Sequence, residues 1–124
     1  MGDFTKIEVW KKSKNIAVKI YSITTSQMFV KDFDLINQRR RAAVSIPSNI
    51  AEGEESGSNP QSTRFFNIAK GSAAELKTQI IISYEIGYLQ ESLYKEIYGE
   101  VCQISIMLHK IIKHRKNHNI KPTP

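Results

Sequence analysis

Chemistry in a small protein needs groups that move protons, hold metals or cradle phosphates, at spacings a fold can bring together. His114 and His118, four residues apart, could set two imidazoles on one side of a helix, but no cysteine or carboxylate accompanies them as a further ligand. They read instead as the solvated end of a basic helix, where positive charge suits the negative dipole terminus. Glu54 and Glu55 sit in a Gly- and Ser-rich stretch, with nothing to imply the burial that would push two carboxyl pKa values apart. Cys102, the single cysteine, excludes an internal disulfide and has no histidine placed to activate it, so it reads as a core or interface thiol. Gly53 through Gly57 has neither glycine spacing that cradles phosphate. These residues form no catalytic constellation; the expectation is a protein that is not an enzyme, with no cofactor, no metal site and no small-molecule substrate.

Binding chemistry is better represented. The net charge is +6, and clustered Lys and Arg attract phosphate backbones by releasing counterions. Two clusters stand out: Arg39-Arg40-Arg41, and Lys110, Lys113, Arg115, Lys116 and Lys121 near the C-terminus. Arg40 and Arg41 are expected to point outward and remain free for phosphates. Arg39 falls on the inner side of its helix and needs a carboxylate, with Glu75 the candidate partner. No aromatic row is interleaved with the basic tail to stack bases, so any nucleic-acid affinity there would be sequence-independent.

These residues must be positioned by 124 amino acids, the size of one ordinary domain, with 40% hydrophobic and 24% charged residues. The longest apolar run, Ile80-Ile81-Ile82, is far short of the ~20 residues a membrane span needs, and Met1-Gly2-Asp3-Phe4 has no signal-peptide pattern, so a cytoplasmic location is expected. Thr5-Lys6-Ile7-Glu8 reads as a capping box, with Phe4 and Val9 as its hydrophobic staple, opening a helix over about 5–25. Trp10, Ala17, Ile20, Tyr21 and Thr24 share one face of it, widened by Ile16 and Ile23. Asp32 and Asp34 mark the start of a second helix over 32–52, on which Leu35, Arg39, Ala42, Ile46, Asn49, Ile50 and Gly53 lie on one side. Asn59-Pro60 begins a third, over 60–88, with an inner stripe of Phe65, Ala69, Ser72, Ala73, Leu76, Ile80, Ser83 and Gly87. Ser92 caps a fourth over 92–115, whose Leu93, Ile97, Val101, Ile104, Leu108 and Ile111 repeat in steps of four and three. A basic tail over 114–124 follows. The fold expected is all-α, an antiparallel up-and-down four-helix bundle in a single domain over 1–124.

Two features exceed what one bundle core requires. Pro47 sits inside the second helix, removing an amide donor and displacing the carbonyl of Ala43, so a bend is expected there, with Ser45 and Ser48 near enough to help satisfy freed groups. The alternative, a separate helix beginning at Pro47, fits less well because Asn49, Ile50 and Gly53 stay in phase with Ile46. Ile81 and Ile82 on the third helix, and Tyr98, Cys102 and Ile106 on the fourth, form apolar rows off the core face and are candidates for an oligomer interface.

Several of these residues make up a recognisable pattern: Val9-Trp10, Gln38-x-Arg40-x-Ala42-Ala43, Ser45-Ile46-Pro47-Ser48-Asn49-Ile50-Ala51-Glu52-Gly53, Ile68-Ala69-x-Gly71-Ser72 with Glu75-Leu76, and Gly87-Tyr88. Over about residues 4 to 112 the chain resembles the small bacterial four-helix-bundle proteins called 23S rRNA intervening-sequence proteins, also labelled S23 ribosomal proteins. The resemblance implies an up-and-down bundle that assembles into a ring-like homopentamer, with no enzymatic activity. A related protein in this resemblance, the accessory variability determinant of diversity-generating retroelements, looks like a basic pentameric partner of a reverse transcriptase and its RNA. Members often carry basic residues after the E-G, whereas Glu54 and Glu55 follow it here, which argues against that loop as a phosphate site. The function expected is a non-catalytic, oligomeric RNA- or nucleoprotein-binding module; the alternative is an adaptor that oligomerises and binds another protein.

Overall fold

The computed structural model describes residues 3–26 and 33–119, with side chains over 3–25 and 34–117. Asp32, Lys121 and the side chain of His118 lie outside the described residues. Four helices follow a short 3-10 turn at Phe4–Lys6: α1 (Glu8–Ser26), α2 (Phe33–Glu54), α3 (Asn59–Glu85) and α4 (Glu91–Asn119). Each packs against its neighbours in sequence, and α1 closes the arrangement against α4. The direction alternates: Arg40 near the start of α2 reaches Thr24 and Thr25 at the end of α1, and Tyr84 at the end of α3 stacks on Tyr94 at the start of α4. This is the expected antiparallel up-and-down bundle.

Local chemistry moves several helix ends. Asp3, not Thr5, provides the first cap: its carboxylate accepts from the Thr5 amide (3.0 Å) and hydroxyl (2.6 Å), and α1 begins only after the extended Ile7. Phe4 meets Trp10 edge to face at 5.2 Å instead of stapling Val9. Ser58 caps α3, so Asn59 is already helical. Gly87 is not on the inner stripe of α3 but ends the helix, at φ +87. Its amide donates to Tyr84 O (3.0 Å) and that of Tyr88 to Ser83 O (2.8 Å), the paired bonds of a Schellman cap that only glycine accommodates without strain.

The core runs the length of the bundle, through Ile46, Ile50, Phe66, Leu76, Ile80, Ile97, Ile104 and Leu108, all fully buried. Phe66 holds the place expected of Phe65, and on α1 the buried face is rotated toward Val9 and Ser13, leaving Tyr21 exposed and Trp10 half-buried. α2 is continuous through Pro47, which excludes a separate helix beginning there. Downstream of the proline, the Asn49 side chain donates to Ser45 O (2.8 Å) and Oγ (3.0 Å), and Ser45 Oγ is 2.7 Å from Ser72 Oγ of α3. The Ser-x-x-x-Asn spacing around Pro47 thus ties α2 to α3 with side-chain bonds where the proline offers no amide. Ser48, the other expected helper, is exposed. Gly53 lies in the last turn of α2, which continues to Glu54. A Cβ there would stand 2.8 Å from Phe66 Cε1 and 3.1 Å from Ser62 O, so the glycine lets α3 approach.

Candidate nucleic-acid interface and assembly surfaces

The basic residues divide sharply once placed. Arg40 is not free for phosphates. Its Nε donates to Thr24 Oγ1 (2.8 Å), its Nη2 to Thr25 Oγ1 (3.1 Å), and its guanidinium lies over the Tyr21 ring at 4.6 Å. Both threonine hydroxyls in turn donate back to carbonyls of α1, so the arginine splices the start of α2 to the end of α1. Arg115 is equally committed: it donates to Ser62 Oγ and Glu54 Oε1, each at 2.6 Å, and its guanidinium lies 4.9 Å from the Phe66 ring centre. Glu54, expected to be a solvated loop residue, has a side chain only 12% exposed in this clamp. The contact falls in the last turns of α4, which stays helical to Asn119, past the end expected at 115. Arg39 is buried at 1% exposure, but Glu75 is exposed on the α2–α3 surface and is not its partner. Glu75 instead shares a groove with Gln38, Arg41 and Gln79.

Of the basic residues expected to meet phosphates, Arg41 and the lysines at the far end of α4 are exposed. Lys110, Lys113 and Lys116 are exposed there. His109, Lys113 and Lys116, at steps of four and three, share the face of α4 turned toward α3. Lys70 of α3 joins them, its Nζ 3.3 Å from His109 Nδ1. With Asn67 and Asn117 these side chains line a groove of about 290 Å³, with no carboxylate among the described residues that line it. The sequence pattern had shown the lysines of α4 but not Lys70, His109 or Asn67, because only the α3–α4 register brings them together. At the opposite end of the bundle the charges pair: Lys19 of α1 bridges Glu100 (2.9 Å) and Glu96 (3.0 Å) of α4, and these bonds, Glu100 first, raise its pKa above the ordinary lysine value against the effect of burial.

The apolar rows expected to form an interface are less exposed than their spacing suggests. Ile81, Tyr98 and Cys102 are half-buried along the α3–α4 seam, where Tyr98 packs near Tyr94. Ile82 (44% exposed) and Ile106 (56%) do project outward, with Ile86 (51%) beyond Ile82. A further apolar surface lies between α1 and α2. Trp10, Lys14, Ala17, Val18 and Tyr21 of α1 face Val44, Pro47, Ser48 and Ala51 of α2 across a groove of about 530 Å³, closed at one end by Phe4. Sequence periodicity hid it by assigning Trp10 and Tyr21 to the core.

The arrangement matches known proteins closely. The family model of the 23S rRNA-intervening sequence proteins matches residues 5–110. The chain belongs to this family. A crystal structure from Bacteroides thetaiotaomicron VPI-5482, described as a protein of unknown function from the S23 ribosomal protein family, superposes with a TM-score of 0.79 at 27% identity, over 85% of this chain and 98% of that one. No curated protein matches. In this structure the Ser45–Gly53 string serves architecture: Asn49 and Ser45 bind α2 to Ser72, and Gly53 admits Phe66. Among the described residues no group of three or more His, Cys, Asp or Glu comes together to hold a metal, and no helix is long and apolar enough to cross a membrane.

Proposed function

We propose that this intervening-sequence protein is a non-catalytic, self-associating module that binds RNA or a ribonucleoprotein through the basic groove between α3 and α4. The observation that carries the reading is the convergence of Lys70, His109, Lys113 and Lys116 on one groove with no carboxylate among its described residues, while Arg40 and Arg115 are held by structural partners. Such a surface attracts phosphates without reading bases. Gel shifts with a structured and an unstructured RNA over a salt series test it. Binding is expected to weaken steeply with salt, and K113E/K116E to reduce both affinity and salt slope. Salt-insensitive binding, or none at low salt, refutes it.

Self-association is supported by shape. The molecule carries a concave apolar groove between α1 and α2 and, separate from it, the exposed isoleucines Ile82 and Ile86 at the end of α3. Unlike patches on one subunit can join copies head to tail, and such contacts build rings when they close. Five subunits, as the family resemblance implies, would give a light-scattering mass about five times the 14.2 kDa of one chain. V18D or V44D in the groove should collapse it, and an unchanged mass excludes the groove. The same groove favours a second reading, an adaptor that holds another protein and has no nucleic-acid role. The 260/280 nm absorbance ratio of the purified protein separates the two.

A further inference from the structure

The contact between Lys70 and His109 has a protonation state built into it. An ammonium group can only donate, so a hydrogen bond between Lys70 Nζ and His109 Nδ1, which lie 3.3 Å apart, requires a neutral ring with its proton on Nε2. When the ring takes a second proton this hydrogen bond is lost and two cations face each other, with Lys113 and Lys116 lining the same groove. The groups facing the ring from α3 are Lys70 and Asn67, and from α4 Lys113, Lys116 and Asn117; none is an acid. Glu54, at the same end of the bundle, is held by Arg115. Among the described residues, then, the groove offers no anion to offset the repulsion, and a bound anion would do so.

We propose that this groove is a phosphate site whose affinity is coupled to protonation of His109, an RNA phosphodiester bridging Lys70 and the imidazolium. It deepens the RNA-binding reading and rests on it for the identity of the ligand. A phosphodiester keeps its charge across the range in which imidazole changes its own, between pH 8 and pH 5, so the ring is the element that switches. The sign follows: a bound phosphate favours the charged ring, so binding tightens as pH falls and loosens as it rises. An added positive charge about 4–5 Å from a phosphate in a water-filled groove corresponds to roughly a five-fold gain in affinity. By reciprocity, the bound anion favours the charged ring by the same factor.

Two measurements at constant ionic strength test the proposal. In the first, a fluorescently labelled single-stranded RNA is titrated at pH 6 and pH 8 into the wild-type protein and H109Q. The wild type is expected to bind about five times more tightly at pH 6, and H109Q to lose that gain even though His114 and His118 remain. In the second, the His109 ring resonance, assigned by its loss in H109Q, is titrated by NMR with and without sulfate, a fixed-charge stand-in for the phosphodiester. The midpoint is expected to rise when sulfate is present. RNA binding with the same pH dependence in both proteins overturns the coupling and leaves the RNA reading intact. A sulfate-induced rise without RNA binding at either pH supports the coupled anion site and removes RNA as its ligand. An unmoved midpoint overturns the site.

Discussion

Replacing Gly53 with alanine tests the packing of the Ser45–Gly53 segment directly. The new methyl carbon would stand 2.8 and 2.9 Å from Phe66 Cε1 and Cδ1 and 3.1 Å from Ser62 O, where ordinary contact begins near 3.4 Å. Phe66 is fully buried beneath the Arg115 guanidinium, so its ring cannot swing into solvent, and Ser62 O is backbone. Either α2 and α3 separate or the ring leaves its rotamer, and such overpacking costs about 1–3 kcal/mol. Alanine's better helix propensity returns up to about 1 kcal/mol. The net expectation is a destabilisation of about 1–2 kcal/mol, read as a loss of roughly 4–10 °C in Tm for a chain this size. Gly71, also helical and exposed, has nothing within 4 Å of its Cβ position, so G71A should hold or raise Tm. Both are measured by thermal unfolding at one protein concentration, since assembly makes Tm concentration-dependent. A G53A variant as stable as the wild type would refute the close-approach argument.

Three further outcomes follow from the other contacts. R115A should destabilise by about 2 kcal/mol in chemical denaturation, because it uncovers Phe66 and leaves the mostly buried Glu54 carboxylate without its partner. R115K should recover only part, since one ammonium cannot serve Ser62 and Glu54 while covering the ring. Lys19, whose pKa is raised in the folded state, contributes stability that is complete below the ordinary lysine value near 10.5 and is lost as pH rises through the higher folded value. K19M should therefore be less stable at pH 8, by no more than about 1 kcal/mol for so exposed a network, and the gap should close at strongly alkaline pH. S72A should cost about 1 kcal/mol by removing the α3 partner of Ser45, with N49A adding less than its single effect in the double mutant because the two share one network.

The helices were legible where one regular face dominates. On α4 the steps of four and three through Ile97, Val101, Ile104 and Leu108 identify the buried stripe, and all four are fully buried. Periodicity failed where adjacent residues are both large and apolar: it chose Phe65 over Phe66, because Gly53, which makes room for Phe66, lies on a different helix. It also set Trp10 and Tyr21 inside, since nothing local signals that Ser13, donating to Trp10 O (3.0 Å), takes the buried position. The fates of the arginines were illegible for a related reason. Arg40 and Arg115 are fixed by hydroxyls and a carboxylate at the ends of other helices, and the chain order of Thr24, Ser62 and Glu54 does not disclose those meetings. The α3–α4 groove needed the same long-range register.

The two walls of the α1–α2 groove repeat one spacing. Trp10, Lys14, Ala17, Val18 and Tyr21 stand at 0, 4, 7, 8 and 11 along α1, and Arg40, Val44, Pro47, Ser48 and Ala51 at the same intervals along α2. Because the helices run in opposite directions, a half-turn about an axis through the groove carries one set of positions onto the other. A visiting helix therefore meets the same ladder of steps whichever way it is laid, so spacing alone cannot tell its head from its tail. The side chains at the two ends do differ, with Phe4 and Trp10 beside Ala51 at one and Arg40 over Tyr21 at the other. The cationic end suits the carbonyl-rich C-terminus of an incoming helix. Arg40, withdrawn from phosphate binding, thus gives the groove a polarity.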